Sequence, residues 1–171
     1  MKLWAISDLH VGYKENRAAV DALEAHPEDW LIVAGDAGDT PAQLEWVLRT
    51  LTPRFKQLVW VPGNHDLWTP RSLASDQRGV AHYQRLVAQC RRLGVLTPED
   101  AYARWPGDGP PRAIVPLFLL YDYSFAPDGV APDRAVAWAA ESGVRSADED
   151  LLAPDPHDSR PSWCHQRVAD A

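Results

Sequence analysis

The sequence predicts an α/β protein in which parallel strands alternate with helices. Three short apolar runs of strand composition occur before residue 62, and segments with helical periodicity separate them. Polar residues follow the three runs at an even interval, since 28 residues separate Asp8 from Asp36 and another 28 separate Asp36 from Asn64. That interval is close to the roughly 30 residues that a strand, a crossover helix and a returning strand require. With 171 residues, the chain is expected to form a single domain over residues 1–171.

The first strand, helix and second strand are predicted from the amino-terminal 34 residues. Residues 3–7 form an apolar run, residues 12–16 are predicted to be a loop, and residues 18–25 have helical spacing. A proline within residues 26–29 is expected to end the helix, because proline lacks the amide hydrogen that a helix interior uses. The continuous apolar run over residues 30–34 then indicates a strand buried on both faces.

The second helix has clear start signals. Thr40 suits the N-cap, Pro41 suits the first helical position, and Gln43 stands three residues after the cap, which is the spacing of a capping box. Apolar residues follow at helical spacing until Pro53 ends the helix. Residues 58–61 are the third predicted strand.

The remaining chain is organised more loosely. Residues 83–93 predict a helix, and residues 97–111 are rich in proline and glycine and predict a surface loop. Residues 112–123 have strand composition, although a proline within them favours a sheet edge or a bulge. Helices are predicted over residues 132–141 and from residue 159 to the last residue, and no strand candidate follows residue 123.

Five polar residues at the ends of the three strands are the candidate site. The carboxyl ends of parallel strands lie at one edge of a sheet, where ligands bind in open α/β folds. One residue separates Asp8 from His10, so the two side chains can bind the same ligand only if the strand has already ended and the chain has turned. The candidates are Asp8, His10, Asp36, Asn64 and His65.

This ordered set resembles the calcineurin-like metallophosphoesterase family, whose early motifs read D-x-H, G-D-x-x-D and G-N-H-D or G-N-H-E. The three motifs occur here as Asp8-Leu9-His10, Gly35-Asp36-Ala37-Gly38-Asp39 and Gly63-Asn64-His65-Asp66. The resemblance implies that Asp8 and His10 ligate one metal ion. It also implies that Asp36 bridges two ions and that Asn64 ligates the second.

The resemblance further implies a catalytic pair and a dinuclear cofactor. His65 would donate a proton to the leaving group, and Asp66 is expected to orient its imidazole; Asn64 and His65 would contact the substrate. The mixed nitrogen and oxygen ligands suit two divalent ions of manganese, iron or zinc. The expected reaction is hydrolysis of a phosphate monoester or diester of modest size, such as a nucleotide.

The implied fold is a metallophosphoesterase-like sheet flanked by helices, within a four-layer α/β/β/α sandwich. The family's later motifs, a further metal histidine and G-H-x-H, are not evident, since the only histidines after His65 are His82, His157 and His165. We therefore expect an incomplete sandwich. Either a missing carboxyl-terminal half or a partner would complete it, or the chain is a shortened relative that is catalytically inactive and serves as a binding module.

The composition limits which binding partners and which cellular compartment are expected. A net charge of -7 argues against broad contact with nucleic acid, since such contact depends on Lys and Arg, and it is compatible with a small phosphorylated substrate. Cys90 and Cys164 are 74 positions apart and predict reduced thiols in the cytoplasm. No apolar run approaches the roughly 18 residues of a membrane helix, and the amino terminus enters a strand without the regions of a signal peptide.

Overall fold

The structure is a computed structural model that describes residues 1–170. The chain forms two compact units: residues 1–68 and 83–118 belong to the first, and residues 69–82 and 119–170 to the second. The prediction of one domain over residues 1–171 stays a prediction.

A parallel three-stranded sheet organises the first unit. Its strands are β1 (Leu3–Ile6), β2 (His26–Ala34) and β3 (Phe55–Val61), and they lie in the order β1-β2-β3. Ile6 pairs with Val33, and Ala34 pairs with Val61, so all three strands end at the same edge. The prediction of an α/β protein with a parallel sheet flanked by helices is confirmed.

Helices α1 (Lys14–Asp21) and α2 (Pro41–Leu51) belong to the same unit, and α3 (Gly79–Arg92) belongs to it from Tyr83 onward. The predicted start of α2 is confirmed, because the Thr40 hydroxyl accepts from the Gln43 amide at 3.3 Å. Apolar side chains at helical spacing on α2 are fully buried and join β3 residues in the core. They are Leu44, Val47, Leu48, Leu51, Leu58, Val59 and Trp60.

The boundaries of the first helix and the second strand differ from the prediction. Helix α1 begins at Lys14, inside the expected loop, and ends at Asp21. Strand β2 begins at His26, because His26 pairs with Phe55 of the neighbouring strand. The pairing is irregular between His26 and Trp30, and this irregularity accommodates Pro27, which has no amide hydrogen to donate.

A second, antiparallel sheet of two short strands corrects two further predictions. Strand β4 (Ala103–Trp105) lies within the expected loop over residues 97–111 and pairs with β5 (Arg112–Ile114). The strand expected over residues 112–123 therefore ends at Ile114. Pro116 explains the early end, since it cannot donate to a sheet ladder.

The second unit is helical wherever the structure describes regular elements beyond residue 118. It contains α4 (Ala135–Glu141), the unpredicted short helix α5 (Asp148–Leu151) and α6 (Arg160–Asp170). The predictions of α4 and α6 are confirmed, although Ala171 lies outside the described residues. Within residues 1–170, none of the helices combines the length and the apolar character that crossing a bilayer requires.

Candidate metal centre

The loops after β1 and β2 run side by side at the carboxyl edge of the sheet. The Asp8 amide donates to the Gly35 carbonyl at 3.3 Å, and the His10 amide donates to the Asp36 carbonyl at 3.0 Å. These bonds continue the contact between the two segments beyond the last paired residues of the strands. The first two sequence motifs are therefore held together by their backbones, independently of any ligand.

Three residues of this edge have backbone angles that side chains other than glycine rarely adopt. The φ angles are +56° at Asp8, +39° at His10 and +52° at Asp36. Such a conformation costs on the order of 1–3 kcal/mol at each residue and persists where the surrounding structure imposes it. Because the chain turns at Asp8 and again at His10, both side chains can face one position, as the sequence analysis required.

Two imidazoles and a carboxylate converge at the turn. One ligand atom from each of His10, Asp36 and His65 lies within 4.8 Å of the other two. His10 Nε2 is 3.9 Å from Asp36 Oδ2 and 4.0 Å from an oxygen of the more exposed Asp8 carboxylate. Nitrogen and oxygen donors in one partly buried cluster fit a divalent transition metal. The residues present thus fit the cofactor class that the motifs imply.

Glycine is required where the loop after β3 meets the loop after β2. A Cβ atom on Gly63 would lie 2.1 Å from Asp36 Oδ1, and one on Gly35, whose φ is +87°, would lie 2.6 Å from the Gly63 nitrogen. The close approach allows the His65 amide to donate to Asp36 Oδ1 at 3.0 Å. One oxygen of Asp36 is thereby bound to the third loop, while the other faces His10.

The buried carboxylate of Asp66 links the loop after β2 to the loop after β3. Its carboxylate accepts from the amides of Asp36 at 2.9 Å, Ala37 at 3.2 Å and Gly63 at 3.0 Å, and it is 3% exposed. Burial raises the pKa of the Asp66 carboxyl to about 7, the backbone amides opposing the rise and the charge of Asp36 adding to it. Asp66 therefore holds the geometry of the loops.

The contact predicted between Asp66 and the His65 imidazole is made instead by Asp39. Asp39 Oδ1 lies 2.7 Å from His65 Nδ1. The reason is the turn after Asn64: it directs the side chain of Asp66 into the protein and the side chain of His65 outward. Asp39 was missed as a site residue, although its position as the last residue of the G-D-x-x-D motif is a signal that identifies it.

Asn64 lies three residues after the end of β3 and is the N-cap of a short 3₁₀ turn (His65–Leu67). The structure thus brings Asp8, His10, Asp36 and His65 together and places Asn64 directly beside His65 in the chain. The individual roles assigned to these residues, as ligands, as proton donor or as substrate contacts, stay predictions.

Comparison with known proteins agrees with this geometry. Residues 1–129 match the family model described as calcineurin-like phosphoesterase. The chain is 47% identical over 169 residues to the acyl-carrier-protein phosphodiesterase PptH of Mycobacterium tuberculosis, and the match covers 98% of this chain and 52% of that protein. The crystal structure of a phosphopantetheinyl hydrolase, PptH, from the same organism superimposes with a TM-score of 0.91 at 46% identity, covering 98% of this chain and 60% of that one. The chain spans about half the length of the curated relative that it matches.

Proposed function

The chain belongs to the calcineurin-like phosphoesterase family, and on that premise we propose that it hydrolyses phosphate esters with two divalent metal ions of manganese, iron or zinc. The observation that carries this proposal is the convergence of His10, Asp36 and His65 at the carboxyl edge of the parallel sheet. A structural role alone gives no reason to retain strained backbone at Asp8, His10 and Asp36, the residues that the motifs assign to metal binding.

In the proposed site, Asp8, His10, Asp36 and Asn64 hold the metal ions. Divalent ions bound there would supply a nucleophilic oxygen at neutral pH and offset charge on the phosphoryl group. Asp36 has the contacts for a central role, since its two carboxylate oxygens face different loops. The backbone bonds that Asp66 accepts keep these loops in place as the substrate binds.

His65 is the proposed proton donor. Asp39 accepts a hydrogen bond at Nδ1, and in the form of the ring that acts as an acid both nitrogens carry hydrogen, so the hydrogen on Nε2 is the one available to the substrate. In the reaction, an oxygen from water forms a new bond to phosphorus and the bond to the leaving oxygen breaks. The leaving oxygen keeps that electron pair and takes the proton from His65 Nε2, while the proton lost by the water passes to solvent.

For the substrate, the relative named acyl-carrier-protein phosphodiesterase supports a diester over a monoester. We infer that the substrate is a phosphopantetheinyl group on a carrier protein, a phosphodiester on a flexible arm. This substrate is more specific than the class expected from the motifs, which was any small phosphorylated compound. Mass spectrometry can monitor the conversion of a carrier protein from its phosphopantetheinylated form to its unmodified form. This measurement tests the substrate separately from the hydrolytic chemistry.

The chemistry is tested with nitrophenyl phosphate monoesters and diesters in the presence of manganese. Asp36→Ala and His65→Ala are compared with the wild type, and Asp108→Ala, an exposed carboxylate in the loop between β4 and β5, is the matched control. General acid catalysis contributes about 10²–10⁴-fold, so His65→Ala is expected to lose about that much on phenyl phosphate esters, whose leaving group is poor and which are assayed alongside, and to lose little on the nitrophenyl esters. Activity unchanged in Asp36→Ala would end the proposal.

The second candidate is a catalytically inactive binding module that engages a partner or a carboxyl-terminal half. The observation that favours it is the lack of the family's late histidine motifs in this sequence. Metal analysis separates the two candidates, because an inactive module has no need to bind two ions per chain. The free, buried state of Cys90 and Cys164 supports a cytoplasmic location, which also remains a proposal.

A further inference from the structure

The indole of Trp68 stacks on the imidazole of His65. The two ring centroids are 3.6 Å apart and the ring planes meet at 32°, so the rings contact through their faces. This distance is shorter than the 4.5–7 Å usual for aromatic pairs. Trp68 follows the G-N-H-D motif but belongs to none of the three motifs that predicted the site.

The stacking follows from the local turn. The Trp68 amide donates to the His65 carbonyl at 3.2 Å, which closes the 3₁₀ turn. In a 3₁₀ helix the side chains at positions i and i+3 are eclipsed, so residues 65 and 68 share one side. The two residues between them, Asp66 and Leu67, are each 3% exposed and anchor the opposite side.

The imidazole is thereby restrained on three sides. Asp39 contacts its Nδ1 edge, Trp68 covers a face, and the ring of His10 meets it edge-on with centroids 4.6 Å apart. A hydrogen bond to Nδ1 alone would still let the ring tilt about that contact. The indole opposes this tilt, and so it determines where Nε2 points.

We propose that Trp68 is a positioning residue for His65, holding the imidazole where Nε2 can protonate the leaving oxygen. This inference rests on the proposed function. It gives Trp68 no contact with the reacting atoms and no part in metal binding. The loss of activity on replacing Trp68 should therefore depend on how strongly the leaving oxygen needs a proton. Replacing a tryptophan that has only a structural role would lower the activity on all esters alike.

The test uses two esters that differ in their leaving group. Methyl nitrophenyl phosphate releases nitrophenolate, which leaves without a proton, and methyl phenyl phosphate releases the more basic phenolate. A displacement of about 1 Å can cost on the order of 100-fold, so we expect Trp68→Ala to lower kcat on the phenyl ester by roughly 10- to 100-fold. On the nitrophenyl ester the loss should stay within about 3-fold, since little of that barrier depends on the acid.

Two further variants make the result specific. Trp68→Phe keeps an aromatic face and should restore most of the activity on the phenyl ester, whereas Trp68→Leu fills the space without a ring plane and should not. In a His65→Ala background, Trp68→Ala should have no further effect on either ester, because its role acts through that ring. Trp46→Ala is the control: Trp46 lies on α2 with the guanidinium of Arg17 4.1 Å from its ring, and its loss should not discriminate between the esters.

An equal loss on both esters, or a further loss in the His65→Ala background, would overturn the role of Trp68 and leave the proposed function standing. A wild-type chain that binds metal and hydrolyses neither ester would instead remove the proposed function, and this inference with it. Unfolding curves and metal content are measured for each variant, and the Phe and Leu variants decide the question if the Ala variant is unfolded.

Discussion

Replacing Asp66 with alanine is the perturbation whose cost the structure predicts most directly. The carboxylate is the acceptor for the amides of Asp36, Ala37 and Gly63, which belong to two different loops. Alanine removes all three bonds at once and leaves a space that is closed to solvent, since Asp66 is 3% exposed. The expected result is a large loss of stability together with a loosened metal site.

The magnitude follows from the three amides. A buried amide left without a partner costs about 1–3 kcal/mol. Ala37 is fully buried, whereas Asp36 and Gly63 are half-buried and can recover part of the cost by bonding to water. We therefore expect Asp66→Ala to lower the free energy of unfolding by about 3–5 kcal/mol, a large part of the 5–15 kcal/mol typical of a domain.

Equilibrium unfolding in urea without added metal measures this cost. Asp66→Asn keeps an acceptor oxygen but turns an NH₂ group toward an amide, so it should cost about half as much. Asp39→Ala is the matched control, since Asp39 belongs to the same cluster but is half-exposed; it should cost less than about 1 kcal/mol. A loss below about 1 kcal/mol for Asp66→Ala, or a stable variant that has lost only turnover, would refute the structural role and favour the catalytic one.

Three smaller predictions concern other residues. Gly63→Ala is expected to weaken metal binding at least about 10-fold in calorimetry, because the new Cβ would lie 2.1 Å from Asp36 Oδ1; unchanged affinity would contradict the close approach. Thr40→Ala should cost about 1 kcal/mol in thermal unfolding, because it removes the α2 cap. Partial burial opposes ionisation of Asp100, but hydrogen bonds from Thr97 and an arginine outweigh it and hold the pKa of that carboxyl below its ordinary 3.8. Asp100→Asn should therefore cost about 1 kcal/mol near neutral pH, and the difference from wild type should vanish as the pH falls through the lowered pKa.

Local signals in the sequence predicted the interior of each principal element, but they predicted an end only where neighbouring residues alone decide it. The Thr40-Pro41 start of α2 depends on neighbouring residues alone, and for that reason it was predicted correctly. The start of β2 at His26 depends on Phe55, which is 29 positions away and supplies the paired strand. For the same reason β4 was not predicted, because it pairs with β5 across a proline-rich loop. Strand ends are decided by pairing between distant segments, and a single segment does not carry that information.

For the site, the sequence by itself determined that the motif residues after the three strands meet, but not that Asp39 joins them. Asp8, His10, Asp36 and His65 follow apolar runs at the spacing of strand-helix-strand units, and parallel strands must end at one edge. Only the tertiary structure decided what each acid does there: Asp66 turns inward to the amides, and Asp39 contacts the imidazole. Topology follows from chain order and spacing, whereas the direction of a side chain depends on the backbone turn and on the atoms that surround it.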